Sequence, residues 1–243
     1  MYFWKCWRDH RMLFIGCVLS LVGMAILFTI TLFRLGEHHL WKGTPELWST
    51  TAFAVLGVYG SMITMFWALA LGVSSLGEEF QKGTTDFLLS RPRRRRYWVW
   101  AGWSAGVCEL AVATFLTAAA ALGTLACLTH QIYTWRMLAA ALPLTVGGAA
   151  VYGMAYFMAL VARSGRRGLG YGVGILVIHL GLPAAVRMYW KVHIPAISNF
   201  IVAGCKSAVE ASGHFPFLAL AAWTAVALAF PFAAQLLLER MEA

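Results

Sequence analysis

Gly83-Thr84-Thr85-Asp86-Phe87-Leu88-Leu89-Ser90-Arg91-Pro92-Arg93-Arg94-Arg95-Arg96 is the stretch whose reading decides the fold. It begins polar, turns amphipathic at Phe87-Leu88-Leu89, and ends in a proline followed by four arginines. Long apolar runs lie on both sides of it. A segment this charged between two such runs must sit in water at the edge of a membrane, because charge inside a bilayer is costly.

The rest of the chain agrees with a membrane setting. Its 243 residues are 60% apolar and 12% charged, with a mean hydropathy of +0.71. Soluble domains average roughly 45–50% apolar and about 25% charged. A spanning helix needs about 20 mostly apolar residues. Six segments satisfy that: Met12–Phe33, Thr51–Leu76, Val99–Thr129, Met137–Ala162, Gly168–Val186 and Phe215–Leu238. The expected fold is therefore an all-α polytopic membrane protein with six transmembrane helices, forming a single domain over residues 1–243. The third span is overlong, which predicts tilt or emergence from the bilayer. The fifth is short, glycine-rich, and ends near Pro183. The first apolar run is too long for the h-region of a signal peptide and has no A-x-A-like site after it, so no cleavable leader is expected.

An even number of spans puts both termini on one side. That side would carry Lys5, Arg8, Arg11, Lys82, Arg91, Arg93, Arg94, Arg95, Arg96, Arg163, Arg166, Arg167 and Arg240. The opposite side would carry Arg34, Lys42, Arg136, Arg187, Lys191 and Lys206. Thirteen cations against six orients the chain, since short loops rich in Lys and Arg remain cytoplasmic. Both termini and residues 77–98 are expected inside. The formal charge of +9 would suggest nucleic acid in a soluble protein. Here every basic cluster adjoins a span, so it fits anionic membrane lipids and argues against nucleic acid. Residues 2–11 mix aromatics with cations, which fits either a helix lying in the inner interface or an ordinary aromatic belt.

The chemistry of a self-sufficient enzyme is missing. The sequence has no G-x-x-x-x-G-K-[ST] phosphate loop, no HExxH and no GxSxG. Glu78-Glu79 at a membrane edge invites comparison with intramembrane CAAX-type proteases, but their EExxxR motif fails at Gly83. His38, His39 and Glu37 share an outer loop and read as solvated, and His179 reads as a packed or hydrogen-bonded histidine. No metal site is expected. The five cysteines form no CxxC pair and read as small hydrophobes. Gly102-x-x-x-Gly106 and Gly170-x-x-x-Gly174 predict close helix packing. Glu109 is the one acid deep inside a span. It should face protein or water and be paired, hydrated or protonated, with Ser104, Thr114 or another span as its hydrogen-bonding partner.

Between the second and third spans, a helical reading places Phe80, Thr84, Phe87 and Leu88 on one face. Acids lead this segment and arginines follow it, as the helix dipole favours; Pro92 ends it. The result is a short amphipathic helix with a basic anchor, either a docking element or an interfacial loop held to lipid.

The spacing Glu79-x-x-x-Gly83-Thr84-x-x-x-Leu88-Leu89-Ser90-x-Pro92-x-x-Arg95 resembles the cytoplasmic signature of type-2 ABC exporter permeases, the integral membrane subunits of ATP-binding cassette transporters. Thr85 stands where that family usually has an aliphatic residue, and a four-arginine run replaces small residues before one arginine. The resemblance implies a coupling helix in residues 77–98, contacting a cytoplasmic ABC ATPase through Glu79, Gly83, Thr84, Phe87, Leu88, Leu89, Pro92 and Arg95. It implies two ATPase copies and a second permease chain, identical or different. ATP and magnesium would then be bound by the partner, with no cofactor and no catalytic residue in this chain. It also implies an outer re-entrant or interfacial segment, here 187–214. The expected function is export across the inner or plasma membrane of a hydrophobic, amphiphilic or lipid-like substrate. Tyr59, Phe66, Trp67 and Glu109 are candidates for the translocation path. The rival readings are a non-transporting membrane scaffold or immunity protein, and a membrane-embedded enzyme.

Overall fold

A computed structural model describes residues 2–39, 51–81, 95–129, 135–190, 196–210 and 215–240. Among these residues the structure is almost entirely helical, with no strand. The helices are α1 (Tyr2–His39), α2 (Gly60–Gln81), α3 (Arg95–Thr129), α4 (Ala141–Ala162), α5 (Gly165–Trp190), α6 (Ile197–Glu210) and α7 (Phe217–Arg240). A π-helical turn, Ala54–Tyr59, leads into α2, and a 3-10 turn, Trp135–Ala140, leads into α4.

Among the described residues, five stretches are long and apolar enough to cross a membrane: His10–Leu35, Thr51–Ser75, Arg96–Thr129, Leu138–Ala162 and Phe217–Arg240. The expected fifth span falls in α5. That helix has 26 residues and runs on through Pro183, and several side chains of its second half lie outside the described residues. The N-terminal segment, for which an interfacial helix and an ordinary aromatic belt were both open, is not a separate element. Residues 2–11 continue without a break into α1, which has 38 residues. No proline or glycine interrupts positions 2–15, so nothing stops helix propagation there. At 1.5 Å per residue, α1 and the 35-residue α3 run about 57 and 52 Å. Both outrun a hydrocarbon core of about 30 Å, and they pack along each other.

α4 is the hub, touching α2, α3, α5, α6 and α7. Of its most apolar stretch 72% is buried, against 22% for α1 and 17% for α7, which form the outer wall. Small residues make this possible by letting helix backbones approach. A methyl at Gly147 would strike Ile201 of α6, one at Gly148 would press on Thr64 of α2, and one at Gly153 would press on α7 at Phe230 and Ala227. Pro231 in α7 has no N–H to give the Ala227 carbonyl, and Gly153 of α4 packs against that same carbonyl.

α4 and α5 form a tight hairpin around Arg163, which adopts a left-handed conformation with φ 47°. Its N–H donates to the Leu160 carbonyl at 3.2 Å. The contacts also sort the helix ends. Phe33, Ala52, Leu125 and Val209 cluster at one end, where α6 packs against both short turns. At the other end Trp100 Nε1 donates to Gln235 Oε1 at 3.0 Å, tying the start of α3 to the end of α7. The ends of α2 and α3 that flank residues 82–94 therefore lie at the end opposite α6, together with the start of α1.

Candidate transport path and coupling region

α1, α2 and α3 meet along a seam. Cys17, Leu21 and Ala113 form its buried centre, with Phe14, Val18, Ile63 and Trp67 packed around them. The Trp67 ring lies over Gly16 of α1, where a methyl would stand in ordinary contact with the indole at 3.4 Å. One turn before Ala113 on α3 is Glu109, which is only 2% exposed. Neither of its carboxylate oxygens has a hydrogen-bond partner among the described residues. Cys17 lies within electrostatic reach of it.

The hydrogen bonds expected of Glu109 are not made. Ser104 donates to the Ala101 carbonyl, and Thr114 bonds the Leu110 and Ala111 carbonyls and the Thr145 hydroxyl. The reason is angular. Positions five apart on a helix are about 140° apart, so neither hydroxyl shares the face of Glu109. Each satisfies itself on its own helix instead.

Further along α3 from Glu109, the seam leaves a small cleft lined by Leu21, Met24, Phe28, Tyr59, Ile63 and Thr117, among others, with a volume of about 10 Å³, room for one water. Glu109, Ala113 and Thr117 recur every four residues, so they share one face of α3. Phe28 and Tyr59 stack across the cleft with centroids 4.4 Å apart and planes 11° apart.

Of the four path candidates, the structure brings Tyr59, Trp67 and Glu109 to this seam. Phe66 is not among them. It is 62% exposed on the outside of α2 and meets Trp67 only edge-on, at 5.7 Å. The coupling residues divide differently. Glu79 lies in the last turns of α2 and Arg95 opens α3, but their side chains lie outside the described residues. Gly83, Thr84, Phe87, Leu88, Leu89 and Pro92 lie outside them altogether.

Two residues that carry the frame escaped the sequence reading. Tyr152 and Tyr156 of α4 are fully buried, and their hydroxyls donate to the Gly102 and Val99 carbonyls of α3 at 3.1 and 3.2 Å. Gly102 and Gly106 make room for these rings. The available signal was the matched spacing: two tyrosines four apart facing two glycines four apart. In α5 the packing pair differs from the one expected. Gly170 and Gly174 face open space, whereas Gly168 lies on the Ala159 backbone and Gly172 on Leu69. His179 is hydrogen-bonded, as read. Its Nε2 accepts the N–H of Ile197 at 2.9 Å, and its ring meets Trp223 edge-on. Among the described residues no three His, Cys, Asp or Glu side chains gather as a metal site would require.

A family model described as ABC-2 family transporter protein matches residues 10–243. A comparison with individual curated proteins gave no match.

Proposed function

This chain belongs to the ABC-2 family of transporter proteins, and from that membership we propose that it is the permease of an exporter driven by a separate cytoplasmic ATPase. It is a multi-pass membrane permease of the plasma membrane. The finer reading has two ATPase copies dock on residues 77–98 of two permease chains. The six-span count takes α5 as the remaining span. Its 26 residues reach about 39 Å, and it lies alongside α2 and α4. Both termini then face the cytoplasm, as the cation asymmetry supports.

The observation that carries the mechanism is the α1–α2–α3 seam. It holds an orphaned carboxylate below an aromatic cleft, and α2 and α3 are the two helices joined by the coupling segment. A push on that segment acts directly on the two helices that flank the seam. ATP binding by the partner shifts the permease between two packings, closed as described here and open along the seam, and cargo of hydrophobic or amphiphilic character follows that shift.

Purification in a mild detergent with identification of co-eluting chains tests the assembly. The wild type should carry an ATP-binding subunit. Burying a leucine contributes on the order of 1.5–3 kcal/mol, so Leu88→Asp should lose that subunit at unchanged yield. Arg94→Ala should retain it, because one exposed charge among four is screened. Full retention of the ATPase by Leu88→Asp would remove the docking role.

A further inference from the structure

Glu109 is buried at 2% exposure, and neither of its carboxylate oxygens has a hydrogen-bond partner among the described residues. The seam beside it is closed by Cys17 and Ala113, both fully buried. The small cleft further along α3 has room for one water, and Glu109 does not line it. A proton is the one ligand that needs no space of its own.

The helices packed against α3 are α1, α2, α4 and α7. Facing stretches of these helices are residues 12–33, 60–77, 141–162 and 217–238, and no Lys, Arg or His occurs in them or in 97–129 of α3. α1 brings Cys17, with His10 two turns before it. α4 brings Tyr152 and Tyr156, whose hydroxyls already donate to α3 carbonyls. α2 and α7 bring no ionisable side chain over those stretches. On α3 itself Cys108 is exposed, and Tyr97 and Cys127 lie three turns or more away. The two short turns that touch α3 add Tyr59 and Arg136 at the α6 end. Arg11 and Arg96 are exposed at the other end, and Arg34 is exposed beyond Phe33. A lone carboxyl in such surroundings holds a proton rather than stay charged, because an unpaired buried charge costs far more than a neutral acid. In water an ordinary carboxyl gives its proton up near neutral pH.

We propose that Glu109 is a proton-binding site of the α1–α2–α3 seam, neutral while the seam is closed and ionised when the seam opens to water. This rests on the reading of the seam as part of the transport path, and it adds a proton to what the opening moves. Release is a simple dissociation. The carboxyl O–H bond breaks, its electron pair stays on the carboxylate, and the proton passes to water. The linkage is reciprocal. The closed seam binds the extra proton, so acid holds it shut and a rise in pH favours the open packing.

Infrared spectra of the assembled complex in nanodiscs at neutral pH test the site, because a neutral carboxylic acid and a carboxylate absorb apart. The wild type should show an acid band that Glu109→Gln lacks. Glu239→Gln, on an exposed residue at the end of α7, should retain it. Glu109→Asp should keep an acid band at a shifted position, which makes the assignment even if Glu109→Gln does not assemble. Raising the pH without nucleotide should remove the band and open the seam. With Cys17 as the only cysteine, its methanethiosulfonate labelling rate is compared between wild type and Glu109→Gln, so that the thiol's own ionisation cancels. The ratio should rise toward tenfold per pH unit, the slope set by one proton. Carboxylate bands in place of the acid band at neutral pH would overturn the proposal, and so would a ratio that stays flat while the band titrates away. Exposure of Cys17 by nucleotide tests the path reading by itself. If nucleotide leaves Cys17 buried while the band and its titration hold, the path falls and the proton site stands. If nucleotide exposes Cys17 and the acid band persists in the open complex, the path stands and the proton falls.

Discussion

Gly106 leaves no room for a side chain. A methyl there would lie 2.2 Å from the Tyr152 ring, which is fully buried and held by its hydroxyl to the Gly102 carbonyl. Gly106→Ala should therefore destabilise the fold by about 1–3 kcal/mol, the usual cost of overpacking. Gly123→Ala on the same helix meets nothing within 4 Å; it should be neutral or stabilise by up to about 1 kcal/mol through helix propensity. Thermal unfolding of the two variants in one detergent checks both, and equal midpoints would contradict the α3–α4 contact. At this scale the sequence shows which residues are unusual but not what they meet. Glu109 stands out because it is an acid in an apolar run. That Ser104 and Thr114 turn away from it follows from helix angles and from competition by their own backbone, and Tyr152 and Tyr156 find their carbonyls only once α3 and α4 are in register.

The helix elements follow the same division. Their existence is legible from the length of apolar runs, whereas the continuity of residues 2–11 with α1 was not read from the sequence. Their facing sides are not legible, because lipid is as apolar as a protein core and removes the polar stripe that marks the outside of a soluble helix. α4 and α7 are both apolar all round, yet one is the hub and the other part of the wall. In α5, glycine at every second position from Gly168 to Gly174 offers two overlapping four-residue pairs on nearly opposite faces. The structure selects Gly168 and Gly172. Gly168→Ala should weaken the α4–α5 hairpin strongly, since the new methyl would lie 2.6 Å from the Ala159 Cα, a backbone atom that cannot step aside. Gly174→Ala should leave assembly and unfolding temperature unchanged. The reverse ranking would restore the Gly170-x-x-x-Gly174 reading.

For the whole molecule, the family and the membrane class were legible because they rest on a short motif and on bulk apolarity. The sidedness rests on the thirteen-to-six distribution of cations. In sealed cells, an impermeant maleimide should label Asn199→Cys, an exposed position on α6, and should not label Ser90→Cys, each in a cysteine-free background. Labelling of Ser90→Cys from outside would invert the topology and remove the docking segment from the cytoplasm. The seam itself is a property of three packed helices that no single span announces.

Cys17 offers the most direct test of the central claim, that ATP binding by a docked partner opens this seam. It is fully buried beside Glu109, so its reaction with a water-soluble methanethiosulfonate reports an aqueous opening there. The exposed Cys108 and Cys127, with Cys6 and Cys205, are first replaced by serine or alanine. A minor open state is populated at about 0.1–10%, so adding ATP to the reconstituted complex should raise the labelling rate on the order of tenfold or more. The rise should vanish in Leu88→Asp. A thiol that stays equally unreactive with and without ATP, in a complex that hydrolyses it, would contradict the account.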